Sequence, residues 1–199
     1  MATFFAGFFL SLSLILAIGS QNAFILKQGI KKQHVLLICT ICAISDAILI
    51  SLGVAGFGVI VSQYPSIEIY ARFGGALFLL VYSLLSFKSA FSQSHVLKPE
   101  AEMQSSAMKT AAVCLAFTWL NPHVYLDTMI LLGSISTQYA GEQLQFILGA
   151  VLASFIFFFS LGYGARLLAP LFQQPKSWQV LEFIVGLTML IIASTLVFG

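Results

Sequence analysis

A chain of 199 residues in which 59% are apolar and only 8% charged cannot close a water-soluble globule, where about 25% of residues carry charge. Its mean hydropathy of +0.99 and 14% aromatic content exclude a disordered chain, a collagen-like fibre and a disulfide scaffold. With a net charge of +2 and nine Lys and Arg scattered between apolar runs, no basic field gathers nucleic acid.

The predicted fold class is all-α, a polytopic integral membrane protein with six transmembrane helices and a single domain over residues 1–199. A span needs about 20 apolar residues, and punctuation leaves six such stretches, at 3–26, 35–61, 66–91, 110–135, 144–170 and 178–198. Residues 3–26 lack the basic start and small-residue cleavage site of a signal peptide and read as a permanent span. A barrel is excluded, because the apolar runs are too long and do not alternate. Lys27, Lys31, Lys32, Lys88, Lys98, Lys109, Arg166 and Lys176 flank the odd-numbered loops, and only Arg72 lies on the other side. The positive-inside rule then puts both termini outside the cytoplasm.

In the first stretch, Ile18-Gly19-Ser20-Gln21-Asn22-Ala23-Phe24 sets three hydrogen-bonding side chains inside an apolar span. Unpaired amides in hydrocarbon cost several kcal/mol, so Ser20, Gln21 and Asn22 must face protein or a wet cavity, either as a polar seam or as a site. Gly19 is the expected helix break. In the second stretch Cys39-Thr40-Ile41-Cys42 has the spacing of a redox pair, yet it lies among apolar residues where thiols serve as packing groups. Asp46 lies about 18 Å into that helix, near the bilayer midplane, where a carboxylate needs a partner. Arg72 of the third helix is the candidate for a structural ion pair with it. Gly53, Gly56, Gly58, Gly74 and Gly75 suit close helix contact.

The fourth stretch holds Thr118-Trp119-Leu120-Asn121-Pro122-His123-Val124-Tyr125-Leu126-Asp127. Pro122 has no N–H and breaks the helix, while His123 and Asp127, four residues apart, share a face with Asn121 and Tyr125 to either side. Odd-numbered triplets of helices invert on repetition, and Gly75-Ala76-Leu77-Phe78 against Gly186-Leu187-Thr188-Met189 gives a three-plus-three repeat with halves 1–91 and 110–199 and a linker at 92–109. Apolar composition alone produces the same likeness. No cofactor, metal centre or enzymatic constellation is called for.

Gly19-Ser20-Gln21-Asn22 with Phe24, Asp46, and the long motif from Thr118 to Asp127 resemble the LysE family of basic amino-acid exporters, over the whole chain and in motif order. Its sister branch for homoserine, threonine and other neutral amino acids carries Gly-Pro at the first motif and Asn-Pro-Lys at the second, where this chain has Ser20-Gln21 and His123. The resemblance implies outward transport of L-lysine or L-arginine, small cationic amino acids, across a bacterial inner membrane by proton antiport. Substrate would contact Ser20, Gln21, Asn22, Asp46, Asn121, Tyr125 and Asp127; Asp46, His123 and Asp127 would carry protons; and one three-helix half would rock against the other. Its expected partners are substrate, protons and lipid, with homo-oligomer formation left open. A neutral amino-acid exporter, a passive channel and a membrane thiol oxidoreductase are the rival readings.

Overall fold

A computed structural model of the chain describes residues 1–16, 19–57, 65–91 and 106–198. Ile18, Gly58, the Gln63-Tyr64 turn, Lys98 and most of the 92–109 linker lie outside the described residues. All described elements are helical: α1 (Ala2–Ile15), α2 (Ser20–Lys31), α3 (Val35–Leu52), α4 (Pro65–Phe91), α5 (Ala107–Trp119), α6 (Pro122–Val124), α7 (Leu132–Ser136), α8 (Gln143–Gly164) and α9 (Pro175–Phe198). Wide π turns at Gly53–Phe57 and Tyr125–Leu131 extend α3 and join α6 to α7, and tight 3-10 turns follow α7 and α8.

Four helical stretches, Val35–Gly56, Arg72–Phe91, Gln143–Leu171 and Lys176–Phe198, are long and apolar enough to cross a bilayer, and α1 with α2 make a fifth crossing if taken as one broken span. The chain is a multi-pass membrane protein. The first span, expected over 3–26 with a helix break at Gly19, is corrected at its end. It divides at Leu16–Gly19 into two helices bent by 82°, and the second runs on to Lys31. Lys27 did not end the helix because its charge is neutralised inside the protein, as described below. The helix stops instead at Lys32, whose left-handed backbone (φ 55°) lets Gln33 N–H reach back to the Gln28 carbonyl at 3.1 Å, closing the end as a C-terminal cap does. The fourth expected span, 110–135, is likewise divided, with α5 a shorter apolar helix of 13 residues.

Small residues set which helices touch. Gly7 of α1 lies on the backbone of Phe146, and Gly149 of α8 on the carbonyl of Phe4. Gly29 of α2 meets Gly162 near the other end of α8, so α1 and α2 pack along opposite ends of one helix. Gly53 lies against Met129 and Gly133, and Gly75 against the Leu120 carbonyl. Among the described residues nothing comes within 4 Å of a Cβ placed at Gly56 or Gly74, and Gly56 (φ 94°) instead turns the chain out of α3. Between α2, α4 and α5, Phe117 meets the rings of Phe24, Phe78 and Tyr82 at 5.1, 4.8 and 4.9 Å. Leu77, Leu84, Ile184, Leu187 and Ile191 stay exposed on α4 and α9, as lipid-facing residues do.

Replacing Gly149 by Val forces a side chain into the Phe4 carbonyl. We expect a loss of about 1–3 kcal/mol, read as a lower melting temperature of the purified protein. Gly74→Val, which meets open space, should melt near wild type.

Candidate functional site

Both helix breaks are built by their own polar residues. At the first, Gly19 takes an extended conformation (φ −110°, ψ 175°) and starts α2 without a side-chain cap. Asn22 Nδ2 donates to the Ile15 carbonyl at 2.9 Å, tying the start of α2 to the end of α1. At the second, Asn121 Oδ1 accepts from the His123 N–H at 3.1 Å, an N-cap directly before Pro122 at the first helical position. The Trp119 carbonyl, stranded at the end of α5, accepts from Tyr125 Oη at 2.7 Å. Trp119 Nε1 donates to Ser45 Oγ at 3.2 Å and fixes this break against α3.

A cavity of about 360 Å³ lies between the two breaks. Its walls include Gly19, Ser20, Gln21, Asn22, Asp46, Asn121, His123 and Asp127, so residues from three separate parts of the sequence converge. Because α2 continues to Lys31, Asn22 lies about 14 Å from the end of its helix, where an end at Lys27 would leave about 7 Å. Tyr125 is not in the lining; its hydroxyl is spent on the second break.

Asp46 is 4% exposed, and its Oδ2 accepts from Ser154 Oγ of α8 at 3.0 Å. The ion pair expected between Asp46 and Arg72 is not formed. Arg72 donates through Nε to the Leu196 carbonyl and through Nη2 to the Val197 carbonyl at 3.1 Å. The final carbonyls of a helix lack partners within it, and the end of α9 lies nearer to Arg72 than the cavity does. Among the described residues the one ion pair is Lys27 Nζ to Glu182 Oε2, 2.7 Å, with both residues buried. Lys27 also lies over the Tyr82 ring at 5.4 Å.

Among the described residues the lining contains Asp46 and Asp127 and no Lys or Arg. His123 is exposed at the rim. Ser11, Thr128 and Thr195 also line the cavity and, with Ser154, were missed from the sequence, because a single hydroxyl in an apolar helix carries no spacing signal. No group of three or more His, Cys, Asp or Glu suited to a metal occurs among the described residues. The Cys39–Cys42 spacing marks no pair: Cys39 Sγ bonds the Phe158 carbonyl at 3.2 Å, and Cys42 Sγ lies 3.3 Å from Cys114 Sγ. All three cysteines are free and buried, as packing groups are.

A family profile described as LysE type translocator matches residues 12–199. The chain belongs to this family. It is therefore a membrane translocator and not an enzyme. It is 42% identical over 191 residues, 96% of this chain and 90% of the other, to a protein named arginine exporter protein ArgO from Salmonella enteritidis. Its namesake from Pectobacterium carotovorum is 41% identical over 189 residues, covering 94% and 93%. A protein from Mycobacterium tuberculosis, named as a candidate amino-acid transporter, is 40% identical over 182 residues, covering 92% and 90%. No solved structure matches the chain.

Proposed function

We propose that the protein is a secondary active exporter of L-arginine, and of L-lysine, across a bacterial inner membrane, with protons moving inward in exchange. The observation that carries this reading is the cavity between the two breaks, lined among the described residues by two carboxylates and by no lysine or arginine. A guanidinium or ammonium ion neutralises such a site, whereas a neutral amino acid leaves buried charge uncompensated. The relatives named as arginine exporters point to the same substrate.

Export of a cation against an inside-negative potential costs about 2.3 kcal/mol per 100 mV, so an opposing flow must supply it. Asp46 meets the need, because one carboxylate binds either a proton or the substrate's cationic end. A proton entering from outside displaces the cation there, and its release to the cytoplasm readmits the next one. His123 and Asp127 line the same cavity and offer a second proton site.

Six crossings with both termini outside fit the packing directions. Cys39, Asp46 and Ile50 of α3 match Phe158, Ser154 and Phe146 of α8, so these run antiparallel. Cys42, Ser45 and Gly53 meet Cys114, Trp119 and Met129, so the α5–α7 segment runs parallel to α3. Ser83 reaches Gly186 while Arg72 reaches Val197, so α4 and α9 run antiparallel. Exchanging the two halves carries this pattern onto itself, as an inverted repeat requires.

The test is efflux of labelled arginine from proteoliposomes with an imposed pH gradient, acid on the receiving side. Expected is gradient-driven export that an uncoupler abolishes, unchanged in Cys39→Ala and Cys42→Ala. Flux indifferent to the uncoupler would make the protein a channel, and loss of activity in the cysteine variants would restore the thiol reading.

A further inference from the structure

An amino acid brings a carboxylate as well as a cationic side chain, and among the described residues the acidic cavity offers that carboxylate no lysine or arginine. Given the amino-acid substrate proposed above, on which this step rests, the cavity must answer the negative end some other way. Of the two breaks, the second is already occupied, since the His123 N–H is taken by Asn121 Oδ1. The first is not. α2 is a 12-residue helix with no side-chain cap at Gly19, and its first internal bond runs from the Ala23 N–H to the Gly19 carbonyl. The N–H groups of Ser20 and Gln21 therefore have no partner within the helix, and they sit at its positive end.

A second observation points to the same place. Ser20 is 1% exposed and Gln21 7%, and Ser20 Oγ and Gln21 Nε2 have no hydrogen-bond partner among the described residues. Ser11 Oγ, fully buried on α1, is also without one. All three residues line the cavity. Buried polar atoms are normally satisfied, and donors left over around a helix N-terminus are what a carboxylate accepts from. Asn22 plays another part, tying α2 to α1 through the Ile15 carbonyl.

We infer that the start of α2, with Ser20 Oγ, Gln21 Nε2 and the N–H groups of Ser20 and Gln21, is the carboxylate-binding end of the cavity and selects amino acids over the corresponding amines. The cationic side chain then extends toward Asp46. The ligand is read at both ends, so a diamine of the same length satisfies only one.

The experiment measures binding of L-arginine and of agmatine, its analogue without the carboxylate, to the purified full-length protein by titration calorimetry. Wild type is expected to favour arginine by roughly tenfold or more, the scale of charge-assisted hydrogen bonds. In Ser20→Ala and Gln21→Leu arginine should weaken by that factor while agmatine binding holds, so the preference collapses. Gln21→Glu, which keeps the site polar, should reverse the preference in favour of agmatine. Equal binding of the two ligands by wild type would overturn this inference and leave the exporter reading standing. So would a preference abolished by His123→Ala and intact in the Ser20 and Gln21 variants. A wild-type protein that binds neither ligand would overturn the substrate reading, and this inference with it.

Discussion

Asp46→Asn is expected to lower proton-driven arginine efflux by roughly two orders of magnitude, the scale on which removing one partner of a buried charge pair acts. The side chain is 4% exposed and has a single hydrogen bond, from Ser154 Oγ, with no cationic side chain paired to it among the described residues. A carboxyl group so placed keeps its charge only in the presence of a ligand cation or gives it up to a proton, and coupling asks for that alternation. Asn retains the shape and the bond from Ser154 but neither exchanges a proton nor neutralises a guanidinium. Ser154→Ala leaves the carboxylate and removes one bond to it, so its expected effect is about tenfold. Reconstituted efflux under a pH gradient measures both variants. Undiminished coupled efflux in Asp46→Asn removes this residue from the mechanism.

The largest effect on stability is expected at Lys27. Lys27→Met strands the Glu182 carboxylate, 2% exposed and 2.7 Å from the lost ammonium, at a cost of about 3–5 kcal/mol. Replacing both partners, as Lys27→Met with Glu182→Leu, removes the stranded charge and should recover most of the loss. Thermal melts of the purified variants decide the matter. A Lys27→Met protein as stable as wild type would mean that Glu182 reaches water once its partner is gone. The pair also bears on the cavity, because it anchors the far half of α2 to α9 and so holds the direction in which the start of α2 points.

The legible parts of the molecule were those whose chemistry is local. Pro122 lacks an N–H wherever it sits, and Gly19 beside three polar residues invites a break, so both discontinuities could be placed from the sequence. Asp46 announced itself by charge in an apolar run. Lys27 misled for the same reason: its charge looked like the edge of a span, and only Glu182, 155 residues away in sequence, explains why helix continues past it. Arg72 was read toward Asp46 because both are rare charges at nearby depths, while its actual acceptors, the backbone carbonyls at the end of α9, have no signature in side-chain type. The roles of the two asparagines were half visible. Their position beside the cavity followed from the motifs, whereas their bonds to backbone at each break depend on geometry that the breaks themselves create.

The glycine contacts constrain how the molecule can move. Gly7 with Phe146, Gly149 with Phe4, Gly29 with Gly162, Gly53 with Gly133, Gly75 with Leu120 and Gly186 with Phe87 each join a residue before position 92 to one after position 109. The first and last stretches of the chain are laced through one another, five of these six contacts at backbone distance, an arrangement that opposes two lobes swinging apart like a clamshell. Closely packed surfaces of this kind accommodate sliding by an ångström or two more readily than separation. We therefore propose that delivery from one face of the membrane to the other proceeds by shear between helices, with the two broken ones as the joints that take up the slack.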